Sequence, residues 1–246
     1  MGAAMNRLAL CVLSFLIVAW GTSAQAAPAA TAIGVSGTVS AESGSQAPRV
    51  LAVGSDLFDG ETVTTQERSK ARLEFADGGL VTLRSNSRLV IEAFHYEEQN
   101  PEGDSSVVNL LKGGMRAVTG KVGHRSDSEA YQAKSFAATI GIRGTDFILR
   151  LCGPDYGDCS DLEVPASHTG GDGLPVPGLY FTVVEGSISV TNATGTQFYF
   201  AGQSGYVADF NTAPTPLVDD PELIKDYEIF SSFLNCTESG IGCLVQ

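Results

Sequence analysis

Residues 139–147 read Thr-Ile-Gly-Ile-Arg-Gly-Thr-Asp-Phe. The branched and aromatic residues favour a β-strand, and Gly141 and Gly144 interrupt it where the backbone must bend or another part of the chain must come close. A phosphate-binding loop would need Gly-x4-Gly-Lys-Ser/Thr at the start of a helix, whereas residues 145–151 continue as a strand. We therefore expect a bent strand, with Gly144 in a crowded or positive-φ position.

Short strands separated by glycine turns extend from Ile33 to about Asp209. Residues 70–75 alternate polar and apolar, Asp77-Gly78-Gly79 supplies a tight turn, and residues 80–83 resume an apolar strand, which predicts a hairpin. Similar runs predict strands at residues 88–94, 107–111, 130–135, 147–151, 179–184 and 197–200. No helical period of useful length interrupts them, so the pattern predicts an all-β fold.

A weak internal repeat accompanies these strands. An apolar-polar-Gly-small-apolar pattern occurs three times, centred on Gly37, Gly113 and Gly186, with spacings of 76 and 73 residues. This period is longer than a solenoid coil, so each unit would contain several strands or coils. A repeated bend that returns the chain to the same sheet would explain the glycines, and chance is the alternative for so short a pattern.

The order of several motifs resembles the FecR-domain family, whose best-known members regulate iron uptake. The motifs are Gly37-Thr38-Val39, residues 60–65, Ser69, Leu73, Phe75, Asp77-Gly78, Leu111-Lys112-Gly113, the signature Gly141, Arg143, Gly144, Thr145 and Phe147, and finally Val184-Glu185-Gly186 and Ala201-Gly202-Gln203. The resemblance covers about residues 33–208. It implies a glycine-turned, solenoid-like or sandwich β domain that makes protein contacts and relays signals across the periplasm.

The chain also departs from the family pattern. Glu61 replaces the usual aspartate, Lys134-Ser135-Phe136 stands where the family often has Thr-Pro, and Cys152 to Gly178 resembles an insertion. We find no cytoplasmic anti-sigma segment and no convincing internal membrane helix. The resemblance therefore implies a free-standing exported FecR-domain protein.

Residues 1–26 have the pattern of a secretory signal peptide. Arg7 precedes the apolar run Leu8 to Trp20, and Ala24-Gln25-Ala26 supplies a small-x-small cleavage site. The 13-residue run is shorter than the about 20 residues that span a bilayer. We expect cleavage before Ala27, a periplasmic or secreted protein, and no stable membrane span afterwards.

Four cysteines follow the signal, as Cys152-x6-Cys159 and Cys236-x6-Cys243. In an oxidising compartment an even number of cysteines indicates disulfides. Three pairings are possible, and the short loops favour the two local ones. Zinc is the alternative, although its paired thiolate ligands are usually two to four residues apart.

The composition and motifs argue against several function classes. The chain carries a formal charge of −13, or −14 without Arg7, which disfavours nucleic acid and anionic lipid as partners. His95, His124 and His168 lie outside any Gly-x-Ser-x-Gly or His-Glu-x-x-His motif, although a triad assembled in space stays open. The acidic residues 155–163 offer oxygen atoms that can bind calcium, but they lack the EF-hand pattern. The sequence therefore leaves calcium binding by this loop open. We expect no enzyme activity and no cofactor.

Beyond the β region, residues 209–246 form a separate C-terminal tail with one predicted helix. Asp220 can cap it, Pro221 suits its first position, and an apolar stripe follows that includes Leu223, Tyr227 and Phe230. The stripe covers a core or docks a partner, and the sequence leaves both open.

These observations favour a non-catalytic periplasmic signalling or scaffold protein that binds another envelope protein. A carbohydrate-binding or envelope-structural β module is the main alternative, and a secreted hydrolase is a third. Exposed aromatic side chains aligned on one sheet face would favour glycan binding. An exposed apolar edge or helix stripe would favour a protein partner.

Overall fold

The computed structural model describes residues 26–44, 46–124, 130–219, 221 and 223. Sixteen strands occur in this part of the chain, with no α-helix: β1 (Ala30–Ser36), β2 (Val39–Ser43), β3 (Arg49–Val50), β4 (Asp56–Leu57), β5 (Glu61–Thr65), β6 (Lys70–Phe75), β7 (Leu80–Leu83), β8 (Arg88–His95), β9 (Ser105–Lys112), β10 (Gly114–Val118), β11 (Tyr131–Lys134), β12 (Thr139–Cys152), β13 (Gly178–Asn192), β14 (Gly195–Phe200), β15 (Ser204–Val207) and β16 (Thr215–Leu217). Two short 3-10 helices occupy Val122–His124 and Ala166–His168. The predicted all-β fold is confirmed.

The long hairpin of β12 and β13 joins two halves of one sheet, which we call leaf I and leaf II. The first half of β12 pairs with β11, and the order continues through β9, β8, β5 and β2 to β3, while β14 pairs with the second half of β13; these strands form leaf I. The second half of β12 pairs with β10, and the order continues through β7, β6 and β1 to β4, while β15 and β16 follow the first half of β13; these form leaf II. Only β9 and β11 pair in parallel among the strand pairs described.

The two leaves face each other across one hydrophobic core. The rings of Phe75 in leaf II and Phe94 in leaf I lie 5.3 Å apart, and those of Phe181 in leaf II and Tyr199 in leaf I lie 4.6 Å apart. Phe147 and Phe181 are fully buried in this core. Because each such ring contributes about 1.5–3 kcal/mol when it leaves water, the core holds the leaves together.

A second, smaller cluster covers the outer face of leaf II. Ile148 and Tyr180 point away from the main core and pack with Leu162, Leu217 and Leu223. The insertion between β12 and β13, together with Leu217 of β16 and Leu223, therefore covers this face. Within the described ranges, no helix of sufficient length and hydrophobicity to span a bilayer is present.

The three repeated glycines mark places where the chain passes from one leaf to the other. Gly37 lies between β1 and β2, Gly113 between β9 and β10, and Gly186 in the middle of β13, with φ of 71°, 78° and 80°. The bends that the repeat predicts are thus present. Each bend carries the chain into the opposite leaf of the same sheet.

Each of these glycines packs against a hydroxyl residue that follows a second left-handed residue. Arg68 (φ 54°) precedes Ser69, whose Oγ accepts a hydrogen bond from Thr38 N–H at 2.8 Å. A Cβ on Gly37 would lie 2.9 Å from the Cβ of Ser69. We call this arrangement of a glycine and a hydroxyl residue a glycine corner.

The same arrangement recurs at the other two glycines. At Gly113 the partner is Ser87, which follows Asn86 (φ 56°), and its Oγ bonds both N–H and C=O of Gly114 at 3.0 Å. At Gly186 the partner is Thr145, whose hydroxyl donates to Ser187 O at 2.6 Å. A shared backbone geometry at separate corners is a physical reason for the sequence repeat.

The glycine corners predict that the loss of unfolding free energy on replacing a glycine depends on the hydroxyl residue packed against it as well as on the φ angle of the glycine. Gly113→Ala would place a Cβ 2.7 Å from Ser87 Cα, whereas Gly78 has a similar φ of 84° and no atom within 4 Å of a new Cβ. We expect Gly78→Ala to cost about 1–2 kcal/mol from backbone strain and Gly113→Ala at least about 3 kcal/mol. Urea denaturation of both variants measures the difference, and equal losses would contradict this account of the corner.

Candidate functional site

The family-signature residues lie where β12 bends from leaf I into leaf II. Gly144 has φ of 58°, and a Cβ there would lie 3.1 Å from the His124 ring, so the position is both left-handed and crowded, as expected. Thr145 N–H donates to Thr119 Oγ1 at 2.8 Å, and Phe147 is fully buried. Gly144, Thr145 and Phe147 therefore hold the hairpin in its bent form.

Asp146 of the same segment forms an ion pair. Arg116 Nε donates to Asp146 Oδ1 at 2.6 Å, and a second bond joins Arg116 Nη2 to Oδ2. Burial raises the pKa of Asp146, Arg116 opposes this rise, and Glu185 adds to it. Burial likewise lowers the pKa of Arg116. Desolvation is the largest effect on the pKa of both groups, so the cost of burying the two charges offsets part of their mutual attraction.

Gly141 and Arg143 face the outer surface of leaf I, where they line a groove. The groove has a volume of about 680 Å³, and neighbouring strands contribute Gln132, Ser189 and Phe198 to its walls. Gly141 lacks a side chain in the row between Gln132 and Ser189, which deepens the groove at this point. The structure thus separates the signature into a structural part and a part that shapes an accessible surface.

Strand β14 forms the wall of this groove and ends leaf I within the described part of the chain. Its side chains alternate, so that Tyr199 is 3% exposed while Phe198 and Phe200 are 66% and 58% exposed on the outer face. Thr196 lies on the same face, bonded through its hydroxyl to Thr191 at 2.9 Å. Two aromatic rings therefore project from an apolar sheet edge beside the groove.

The backbone of β14 presents hydrogen-bonding groups away from β13. Ala201 N–H donates to Gly186 O, and the alternation of antiparallel pairing then directs the groups of Gly195, Gln197 and Tyr199 toward β13. The intervening Thr196 and Phe198 direct theirs outward. The N–H of Phe200 agrees with this alternation, because it donates to the side-chain Oε1 of Gln203 at 2.8 Å rather than to β13.

The sequence predicted a strand at residues 197–200 but did not single out its edge position. The available signal was the run Gly195 to Phe200, which has neither a charged residue nor proline although edge strands usually carry one or the other. That signal has meaning only when a strand is known to be an edge. The pairing order of the folded chain supplies this information.

The predicted disulfide between Cys152 and Cys159 is present, with sulfur atoms 1.97 Å apart. It closes the start of the insertion, where Tyr156 stacks on Phe136 at 4.1 Å and accepts a hydrogen bond from Gly113 N–H at 2.7 Å. The loop thus caps the second glycine corner. The other predicted disulfide, Cys236 with Cys243, lies outside the described residues and stays a prediction.

The acidic loop at residues 155–163 is partly engaged by arginines. Asp161 accepts from Arg150 at 2.7 Å and from Arg84 at 2.9 Å, and Arg150 also donates to Asp158 O at 2.7 Å. No group of three or more His, Cys, Asp or Glu side chains that could hold a metal ion occurs in the part of the chain that the structure describes.

Of the predicted docking stripe, only Leu223 is described. It is 2% exposed and packs in the cluster that covers leaf II, which is the core-covering role rather than the docking role for this residue. Tyr227 and Phe230, and the predicted helix that contains them, lie outside the described residues.

Comparison with known proteins identifies the family. Residues 61–159 match the FecR protein family, which confirms the resemblance over this part of the chain. Two crystal structures of a candidate anti-sigma factor from Parabacteroides distasonis ATCC 8503 are similar, each with a TM-score of 0.46 and 11% identity over 68% of this chain. The match spans 63% and 64% of those chains, less than two thirds of their length. No curated protein matches the chain.

The geometry at Gly144 predicts that valine destabilises the protein. A valine would have to adopt φ near 58° and place its Cβ against the His124 ring, so we expect a loss of about 1–3 kcal/mol. Gly144→Asn is the matched variant, because asparagine adopts the left-handed conformation more readily and should cost less. Thermal unfolding distinguishes them, and a melting temperature unchanged by Gly144→Val would show that the glycine is not structurally required.

Proposed function

We propose that this protein is a non-catalytic periplasmic signalling or scaffold protein that acts by binding another envelope protein. The FecR domain supports the signalling class, since the family is regulatory rather than catalytic. The Cys152–Cys159 disulfide supports an oxidising compartment. The signal-peptide pattern of residues 1–26 supports the periplasm as that compartment.

The observation that carries the proposal is the apolar edge at β14. Phe198 and Phe200 are exposed side by side on a strand whose outward backbone groups have no strand partner within the described residues. Aromatic side chains at a rigid sheet edge are typical anchors of protein interfaces. The groove floored by Gly141 lies next to them, so a partner that contacts the rings also reaches the signature segment.

A carbohydrate-binding module is the alternative that a specific observation favours. The same two rings share one sheet face with the hydroxyls of Thr191 and Thr196, and sugars stack on exposed rings and bond hydroxyl groups. The open backbone edge beside the rings favours a protein partner, because a strand can satisfy outward N–H and C=O groups along its whole length.

The proposal predicts that charge at this edge abolishes binding of the partner and leaves the fold intact. A photo-reactive residue at position 198 should crosslink one envelope protein, which mass spectrometry identifies and which is then purified. Its affinity for Phe198→Lys/Phe200→Lys should fall at least about tenfold, with unfolding free energy changed by no more than about 0.5 kcal/mol because both rings are exposed.

Val50→Lys is the matched control, since Val50 is 76% exposed and lies in β3 at the opposite end of leaf I. It should retain wild-type affinity. Partner affinity equal in the double variant and the control would contradict the β14 site. Retention of a defined glycan, with no envelope protein crosslinked or bound, would favour the carbohydrate-binding alternative instead.

Export gives a separate test of the cellular location. Protein expressed from the full coding sequence should be recovered from the periplasmic fraction with Ala27 as its first residue, because Ala24-Gln25-Ala26 is the predicted cleavage site. N-terminal sequencing checks this. Membrane-associated protein that begins at Met1 would refute export by cleavage.

A further inference from the structure

Four strands end the described sheet, and β14 differs from the other three. β3 and β4 have two residues each and carry Arg49 and Asp56, while β16 has three residues and contains Pro216. Short length, charge and proline are the usual means by which proteins block pairing at a sheet edge. β14 has six residues and none of these features, so its edge is open to a further strand.

The alternation of inward-directed and outward-directed backbone groups along β14 limits where a further strand could pair. Thr196 and Phe198 direct N–H and C=O outward, as does the C=O of Phe200, whereas Phe200 N–H is already donated to Gln203 Oε1. An added strand would therefore pair with Gly195 to Tyr199 and stop at Phe200. Such a segment is about five residues long, a typical strand length.

We propose, on the basis of the proposed function, that the envelope partner inserts an extended segment that pairs with β14 and adds a strand to leaf I. On the outer face its side chains lie beside Phe198 and Phe200, which selects aromatic or β-branched residues at alternate positions. The chain has a formal charge of −13, which selects a segment without carboxylates and with basic flanks.

A second copy of this chain fits the edge less well than such a segment. Two copies carry the same negative charge, and neither β14 contributes a basic residue to offset it. In a two-fold pairing centred on Phe198, each Phe200 would face Thr196 of the other copy with its N–H already donated to Gln203. A different partner segment avoids both costs.

Proline at position 196 separates backbone pairing from docking on the rings. Thr196→Pro removes one outward N–H, which β13 does not use, and leaves Phe198 and Phe200 in place. Thr196→Ala is the matched control, because it removes the hydroxyl bonded to Thr191 but keeps the N–H. The probe is the synthetic peptide Lys-Val-Thr-Val-Thr-Val-Lys, together with the same peptide N-methylated at alternate residues.

The full chain should bind the unmodified peptide, and Thr196→Pro should weaken this binding about tenfold, the effect of about one lost backbone hydrogen bond. Alternate N-methylation should also weaken it at least about tenfold, and this result does not depend on how well Thr196→Pro folds. Thr196→Ala should bind like the unsubstituted chain. Nuclear magnetic resonance titration measures all four affinities.

Three results would overturn strand addition. Absence of peptide binding is the first, and binding unchanged by both Thr196→Pro and N-methylation is the second. A dimer of the chain that Thr196→Pro dissociates is the third, since a second copy would then occupy the edge. If Phe198→Lys/Phe200→Lys still abolishes partner binding, the proposed function survives any of these results, because the partner then docks on the rings without adding a strand.

Discussion

The contact between a left-handed glycine and a serine or threonine hydroxyl is the constraint on which this fold depends. At Gly37, Gly113 and Gly186 the chain leaves one leaf and enters the other. A side chain would occupy the space of Ser69 or Ser87 at the first two glycines, and the space of the Gly144 carbonyl oxygen, next to Thr145, at the third. The hydroxyl also bonds the backbone next to the glycine, so the turn is held from both sides. The two leaves close over a common core because these corners set where each strand turns.

The β12–β13 hairpin connects the Gly186 corner to the candidate site. Its bend at Gly144 and Thr145 is the partner of the Gly186 corner, and beyond the bend the same two strands form the floor of the groove on leaf I. Gly141 and Arg143 therefore reach the surface in a position that Thr145 and Phe147 secure from inside. The signature is one continuous segment with two roles. Its residues on the inner side of the strand stabilise the bend, and those on the outer side shape the groove.

The segments that pack on the outer faces of the two leaves determine which surfaces are covered and which stay open. The insertion that begins at the Cys152–Cys159 disulfide packs Leu162 on the outer face of leaf II, and Leu217 and Leu223 complete that cover. Within the described residues, the groove on leaf I and the β14 edge receive no comparable cover. An apolar strand with outward hydrogen-bonding groups is a template on which another strand can pair.

The sequence by itself determined the all-β class, the FecR resemblance and the positions of eight of the sixteen strands, and it favoured the Cys152–Cys159 pairing. These follow from local alternation, from glycine at left-handed positions and from a short loop between cysteines, all of which act between near neighbours in the chain. Only the tertiary structure decided that the repeated glycines carry the chain between leaves and that Phe198 and Phe200 lie on an open edge. Strand order and leaf pairing depend on contacts between residues far apart in sequence, such as Gly113 with Ser87 and β12 with β10, and no local pattern encodes them.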